Sequence, residues 1–174
     1  MIVLCFPSAA QSLQKDENSS SLVPKDDNWE ARLKSVEEAR TLNESEAVDI
    51  LIEGLKDRNS SIRIKAVEAL GNYNHTRSKD ALIQALGDNN SQVADQAKIS
   101  LMKIGASVVV PLISALDMEN STIRANAAQV LGRLKDSRAI DPLRRLQMES
   151  NDSEVQTKVA YALRKLDWKE RGTS

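Results

Sequence analysis

The sequence is poor in the residues from which active sites are usually built. It has one cysteine, Cys5, and one histidine, His75, in 174 residues. A single cysteine excludes an intramolecular disulfide and a cysteine-based zinc site, and leaves the redox compartment open. His75 follows Asn72-Tyr73-Asn74 in a turn, with no nucleophile signature beside it, so it reads as a surface residue and not a catalytic one. Aromatic residues make up 3%, so the core must be built from Leu, Ile, Val and Ala. Glycine and proline number only six and four, which suits helices and argues against a sheet-rich fold with many tight turns. Neither charge sign dominates. The net charge of −1 gives the whole molecule no drive toward nucleic acid or an anionic membrane. There is no glycine loop to cradle phosphate, and no segment is expected to be long enough to span a bilayer.

What the sequence does have is a repeat of about 31 residues. IRIKAVEALG at 62–71, VADQAKISLM at 93–102, IRANAAQVLG at 123–132 and VQTKVAYALR at 155–164 align without gaps. Their first residues, Ile62, Val93, Ile123 and Val155, are spaced 31, 30 and 32 apart. A second ladder runs Leu51, Leu82, Leu112 and Leu143, spaced 31, 30 and 31. Two ladders of one period mean two helices per repeat, stacked into an all-α solenoid. Hydrophobic residues at 41% and charged residues at 28% are ordinary for a soluble domain of this kind.

Residues 11–27 are polar, Ser-rich and interrupted by Pro24, and read as a disordered linker. Before them, MIVLCFPSAA reads either as an apolar tail or as the end of a signal peptide whose start lies upstream; its apolar run is short for a leader and no basic residue precedes it. The stretch 28–43 reads as a capping half-repeat, with Trp29 placed in the ladder of Ile62. Full repeats follow at 44–77, 78–106, 107–137 and 138–168, and 169–174 is a tail. First helices are expected near 45–56, 79–86, 108–117 and 139–148. Second helices are expected near 61–73, 92–104, 122–134 and 154–166. With the leading half-repeat this makes about nine helices.

Local chemistry fits those boundaries. Ser60-Ser61, Ser91, Ser121-Thr122 and Ser153 are candidate N-caps of the second helices. Pro111 and Pro142 fall in the first turn of their helices, where a missing N–H costs little. Gly87 and Gly105 lie just past helix ends, where a left-handed residue is wanted. Ile62, Ala66, Ala69, Leu70 and Tyr73 share one face at 3.6 periodicity, as do their equivalents in the next two repeats. A stripe of mostly small residues, Val67, Lys98, Ala128 and Ala160, is expected to face the neighbouring repeat.

These patterns resemble HEAT repeats, in the short form also found in phycobilisome lyases. LKDSRAIDPLRRL at 134–146 resembles the family's inter-repeat turn, and IRIKAVEALG and IRANAAQVLG resemble its second helix. The second repeat departs from the pattern, with Ala94 at the arginine position and Met102 at the glycine position; the fourth has Gln156 and Arg164 there. The resemblance implies a right-handed α-solenoid of helical hairpins whose second helices line a concave, protein-binding surface. Carried over residue by residue, that surface presents Arg32, Lys65, Gln96, Asn126 and Lys158 in one row. Asn72, Lys103, Arg133 and Lys165 form a second row, with Glu68, Ile99, Gln129 and Tyr161 between them. The face reads as mildly basic, with Tyr161 as a candidate anchor. The plainer alternative is that the late basic residues complement helix dipoles and stay solvated. Deoxyhypusine hydroxylases, also built of such repeats, bind iron through His–Glu pairs, and this chain has none.

Other features have structural explanations at hand. Glu46, Asp49, Glu53 and Asp57 suit a solvated helix face. Trp29 and Trp168 lie at opposite ends and read as residues shielding the ends of the stack. Asn-x-Ser/Thr recurs at Asn59, Asn89, Asn120 and Asn151, in the turn inside each unit, where turn and capping preferences alone produce it. The function expected is a non-enzymatic scaffold, without cofactor or metal, that binds a partner protein or peptide of acidic character. The alternative is an accessory subunit of a lyase-type enzyme that attaches or removes a cofactor on another protein. Nucleic acid is not an expected partner, a monomer is favoured, and the location reads as cytoplasmic unless residues 1–10 end a signal peptide.

Overall fold

The computed structural model describes residues 28–171, with side chains as far as Asp167. The expectations for residues 1–27, for 172–174 and for the side chain of Trp168 lie outside the described residues. Among those residues there are nine α-helices and no strand. They are α1 (Trp29–Glu38), α2 (Glu44–Gly54), α3 (Ser60–Leu70), α4 (Thr76–Ala85), α5 (Ser91–Ile104), α6 (Val109–Ala115), α7 (Ser121–Leu134), α8 (Ile140–Glu149) and α9 (Ser153–Arg171). Short 3₁₀ turns at Ala39–Thr41, Gly105–Val108 and Ser137–Ala139 precede α2, α6 and α8. The last helix runs past the expected end, because Lys169, Glu170 and Arg171 are good helix formers and the next glycine is Gly172.

The architecture is the expected α-solenoid. Helices α1, α3, α5, α7 and α9 pack in order as one layer, and α2, α4, α6 and α8 form the other. Each ladder read from the sequence is a core column. Leu51, Leu82, Leu112 and Leu143 have no exposed surface, and Ile62, Val93, Ile123 and Val155 lie behind them, also buried. No single hairpin could bury these side chains alone, so stability comes from stacking one repeat on the next. Ser78 in α4 is the one side chain in this interior, among the described residues, whose hydroxyl finds no hydrogen-bond partner. Removing an unpaired buried hydroxyl spares its desolvation. Ser78→Ala is therefore expected to stabilise the fold by about 1 kcal/mol, read as a higher urea midpoint at unchanged m-value.

Several local expectations need correction. The caps of the second helices are amides and a carboxylate, not the hydroxyls that follow them. Asn59, Asn90 and Asn120 accept the N–H groups of Ser61, Gln92 and Thr122 at 2.9 Å each, and Asp152 accepts that of Glu154 at 2.8 Å. The Asn or Asp Oδ1, three bonds from Cα, reaches the N–H two residues further on. His75 caps α4, its Nδ1 accepting the Arg77 N–H at 3.2 Å. Of the two glycines expected to be left-handed, only Gly105 has positive φ, at 81°. Gly87 is needed for space, since a Cβ there would lie 2.7 Å from Ile123. The other left-handed residue is Lys135, at φ 54° after α7. Finally, Ser91–Ala115 has the length and mean hydropathy, 1.5, of a membrane span, contrary to expectation. Gly105 breaks it into α5 and α6, whose Val93, Ala97, Leu101, Val109 and Leu112 all point into the core.

Candidate functional site

The odd-numbered helices form the face on which the sequence placed its binding residues. How closely these helices approach is set by one position per repeat, the last of the ten-residue segments aligned above. At Gly71 a Cβ would lie 2.8 Å from the Ser100 Cβ, so α5 packs closely on α3. At Gly132 a Cβ would lie 2.5 Å from the Ala162 Cα, so α9 lies on the bare backbone of α7. The equivalent residue of α5 is Met102, facing Val130 of α7, and here a groove of about 330 Å³ opens. It is lined by Asp95, Lys98, Ile99, Met102, Gln129, Val130 and Arg133. Ahead of the first full repeat the equivalent residue is Arg40, in the 3₁₀ turn that follows α1, and a groove of about 340 Å³ opens between α1 and α3. Glycine closes the layer and a longer side chain opens it, so closed and open seams alternate along the stack. Lys98 widens the α5–α7 seam further, standing where the other repeats have Val67, Ala128 and Ala160. Its ammonium bonds Asp95 at 2.7 Å and Gln129 at 3.3 Å.

The structure sorts the expected binding residues accordingly. Lys65, Glu68 and Asn72 meet in the α1–α3 groove, with Glu37, Arg40 and Tyr73. Ile99, Gln129 and Arg133 meet in the α5–α7 groove. Tyr161 and Lys165 share a wider basin at the end of the stack with Lys135 and Arg164, and the Lys165 ammonium sits 5.5 Å above the Tyr161 ring. Lys103 bridges two repeats by donating to Asn72 Oδ1 at 2.6 Å, and Lys158 donates to Gln129 at 3.4 Å. Gln96 is half-buried.

Two of the expected residues do not belong to this open face. Asn126 is buried, and its side-chain N–H donates to the Leu86 carbonyl at 2.8 Å, one of the orphan acceptors at the end of α4. Arg32 is buried too, with its Nε 2.7 Å from Asp57. The half-repeat sits two residues away from the register expected from the sequence. Arg32 pairs with Asp57 as Arg63 pairs with Asp88, each 25 residues on, so Ala31, and not Trp29, is the equivalent of Ile62. Trp29 is accordingly 47% exposed.

These pairs form a ladder along the turns. Arg63 binds both oxygens of Asp88, at 2.8 and 2.9 Å, and also donates to the Asp57 carbonyl at 2.8 Å. Arg124 makes the same return bond to Met118 O, and Gln156 to Ser150 O. In the rung that would join the second repeat to the third both members are lost together, with Ala94 at the arginine position and Met118 at the aspartate position. Burial pushes the pKa of Asp57 and Asp88 up, toward the neutral form, but the arginine and the backbone N–H of Asn59 or Asn90 outweigh it. Both carboxyls are held below their ordinary value. A depressed native pKa means stability that is full above the unfolded value of about 4 and is lost as pH falls through the native one. The urea midpoint is expected to hold from pH 7 to 5 and fall below about pH 4, and Asp57→Asn with Asp88→Asn should flatten that fall while lowering the neutral-pH midpoint.

Residues that the sequence reading left out of the site include Met102, Lys98, Asp95, Val130, Arg40, Glu37, Tyr73, Lys135 and Arg164. Met102 and Arg164 carried a visible signal, since both stand at the repeat's glycine position. Among the described residues no cluster of His, Cys, Asp and Glu could hold a metal ion. A family profile described as HEAT repeats matches residues 20–103 and 109–172. Among solved structures, the crystal structure of an engineered protein is similar at 19% identity, covering 83% of this chain and 76% of that one, with a TM-score of 0.43. No curated protein matches the sequence.

Proposed function

The chain belongs to the HEAT-repeat family, and from that premise we propose that it is a non-enzymatic interaction module holding a segment of a partner protein on its odd-helix face. The family is generally non-catalytic and commonly serves as a protein-interaction scaffold. The observation that carries the reading is the pair of grooves opening on one face between α1 and α3 and between α5 and α7, with Ile99 left 53% exposed at the second. An apolar side chain exposed beside an unfilled groove, on a face otherwise lined by polar residues, suits a peptide contact better than it suits solvent.

A photo-crosslinking residue placed at Ile99 or Gln129, in the cells that make the protein, should trap a partner. The same residue at Met148, which is 87% exposed on the other layer, should not. Adducts from position 148 alone, or equally from all three, would sink this assignment. Charge reversal at Lys65, Arg133 and Lys165 together should lower recovery of whatever is trapped.

A further inference from the structure

Resting on that reading, we propose that the partner segment is acidic and inserts one apolar side chain between α5 and α7, its carboxylates then running toward α9. The charges on the odd-helix face are not evenly spread. At the α1–α3 end, Glu37 and Glu68 line the groove beside Lys65 and Arg40, and Lys65 lies 3.5 Å from Glu68. From the last turn of α5 onward the balance changes. Lys103, Arg133, Lys135, Arg164 and Lys165 are all exposed, and none makes an ion pair among the described residues. Their contacts are to neutral groups: Asn72 for Lys103, the Met102 sulfur at 3.9 Å for Arg133, and the Tyr161 ring for Lys165.

Cations this close together repel one another, and an anion placed among them relieves that repulsion. Complementary charge steers encounter and sets orientation, while an apolar anchor in a groove supplies affinity. The α5–α7 groove provides for the anchor, with Ile99, Met102 and Val130 on its walls. Methionine adapts its shape to varied apolar guests. The spacing then follows. Packed helices lie about 8–10 Å apart and an extended chain advances about 3.3 Å per residue, so one repeat spans about three residues. Arg133 stands on the groove's own α7 wall, about half a repeat from its centre, and α9 lies one repeat further. A segment with an apolar residue and carboxylates roughly one to two and four to five positions along therefore meets the groove, then Arg133, then Arg164 and Lys165. A long polyanion such as single-stranded nucleic acid fits less well, because continuing along the same face would bring it to Glu68 and Glu37. The short basic stretch suits a short acidic one.

The test is selection of a displayed library of random 12-residue peptides on the full chain. Enriched peptides would be synthesised with a fluorophore and titrated by anisotropy. The expected outcome is enrichment of one Leu, Ile, Phe or Met followed by two or more Asp or Glu. Arg133→Glu with Arg164→Glu should weaken binding about tenfold or more, as should raising the salt. Ile99→Asp, at an exposed position that leaves the fold intact by circular dichroism, should abolish binding. If enriched peptides are neutral or basic yet still lose binding on Ile99→Asp, the acidic class is wrong while the binding face stands. If binding survives Ile99→Asp and both charge reversals, the face itself is wrong. No enrichment, or tighter binding of a labelled 20-nucleotide single-stranded DNA than of any peptide, would overturn the proposal.

Discussion

Replacing Leu131 by alanine is expected to cost about 4 kcal/mol of folding free energy, within the ~2–5 kcal/mol range of buried leucine truncations. Leu131 has no exposed surface, and its neighbours on α7 leave nothing to fill the space. Ala127 and Ala128 are too small, and Gly132 has no side chain. Nor can the helices move inward, because α7 and α9 already meet at backbone distance where Gly132 faces Ala162. A cavity that cannot collapse carries the full penalty. Leu101 is the equivalent residue one repeat earlier and is equally buried. It is followed by Met102 at an open seam, so a flexible side chain and room for α5 and α7 to approach are at hand. Leu101→Ala should therefore cost about 2–3 kcal/mol, clearly less than Leu131→Ala. Urea denaturation of both variants at neutral pH decides this. Equal losses would mean that seam geometry does not govern relaxation, and a loss under about 1 kcal/mol would remove Leu131 from the core.

The same two leucines show how much could be read without coordinates. Their ladder needed only a period and a hydrophobic pattern, because a solenoid repeats one packing solution and each copy testifies for the others. Helix boundaries followed for the same reason. The half-repeat had no such support. The match of this stretch to a second helix sets Trp29 opposite Ile62, and only the Arg32–Asp57 pair, copied 25 residues apart at Arg63–Asp88, shows the true register. A polar pair between turns leaves no hydrophobic period to detect. The same error put Arg32 on the open face. Asn126 was misplaced differently. It lies in the correct row, but α7 is buried all along from Ala125 to Ala128, and the Leu86 carbonyl draws the amide inward.

The site itself was visible only in its outline. Lys98 and Met102 stood out in the sequence as breaks in a small-residue stripe and a glycine position. Taken one at a time they read as harmless variation. Their effect belongs to the pair of helices and not to either residue, since each acts by holding α7 away from α5. Distance between two helices is a property that no one-dimensional pattern states directly. What the sequence does state is which repeats have glycine there and which do not, and that proves to be the pattern of closed and open seams.

If that position governs the seams, exchanging its residues should exchange their behaviour. Gly132→Met is expected to cost about 2–3 kcal/mol, because a side chain must be driven in where even a Cβ would lie 2.5 Å from the Ala162 Cα. The obstacle is backbone, so no rotamer change relieves it and α9 must move as a body. Helix propensity opposes this loss, since methionine favours a helix over glycine by a little under ~1 kcal/mol, but the packing term is larger. Gly71→Met should cost less. The nearest backbone atom there is the Ser100 Cα at 3.2 Å, against 2.5 Å for the Ala162 Cα at Gly132. The Ser100 Cβ and Oγ lie at 2.8 and 2.9 Å, and the Oγ can turn away by giving up its bond to the Val67 carbonyl, so a smaller helix shift suffices. The reverse change, Met102→Gly, loses helix propensity of about the same size but lets α5 and α7 approach, so its net effect on stability should be small. Urea midpoints rank the three, and the expected order of loss is Gly132→Met, then Gly71→Met, then Met102→Gly. A Gly132→Met protein as stable as the parent would show that α7 and α9 do not depend on glycine for their approach. In that case the alternation of open and closed seams would need another cause.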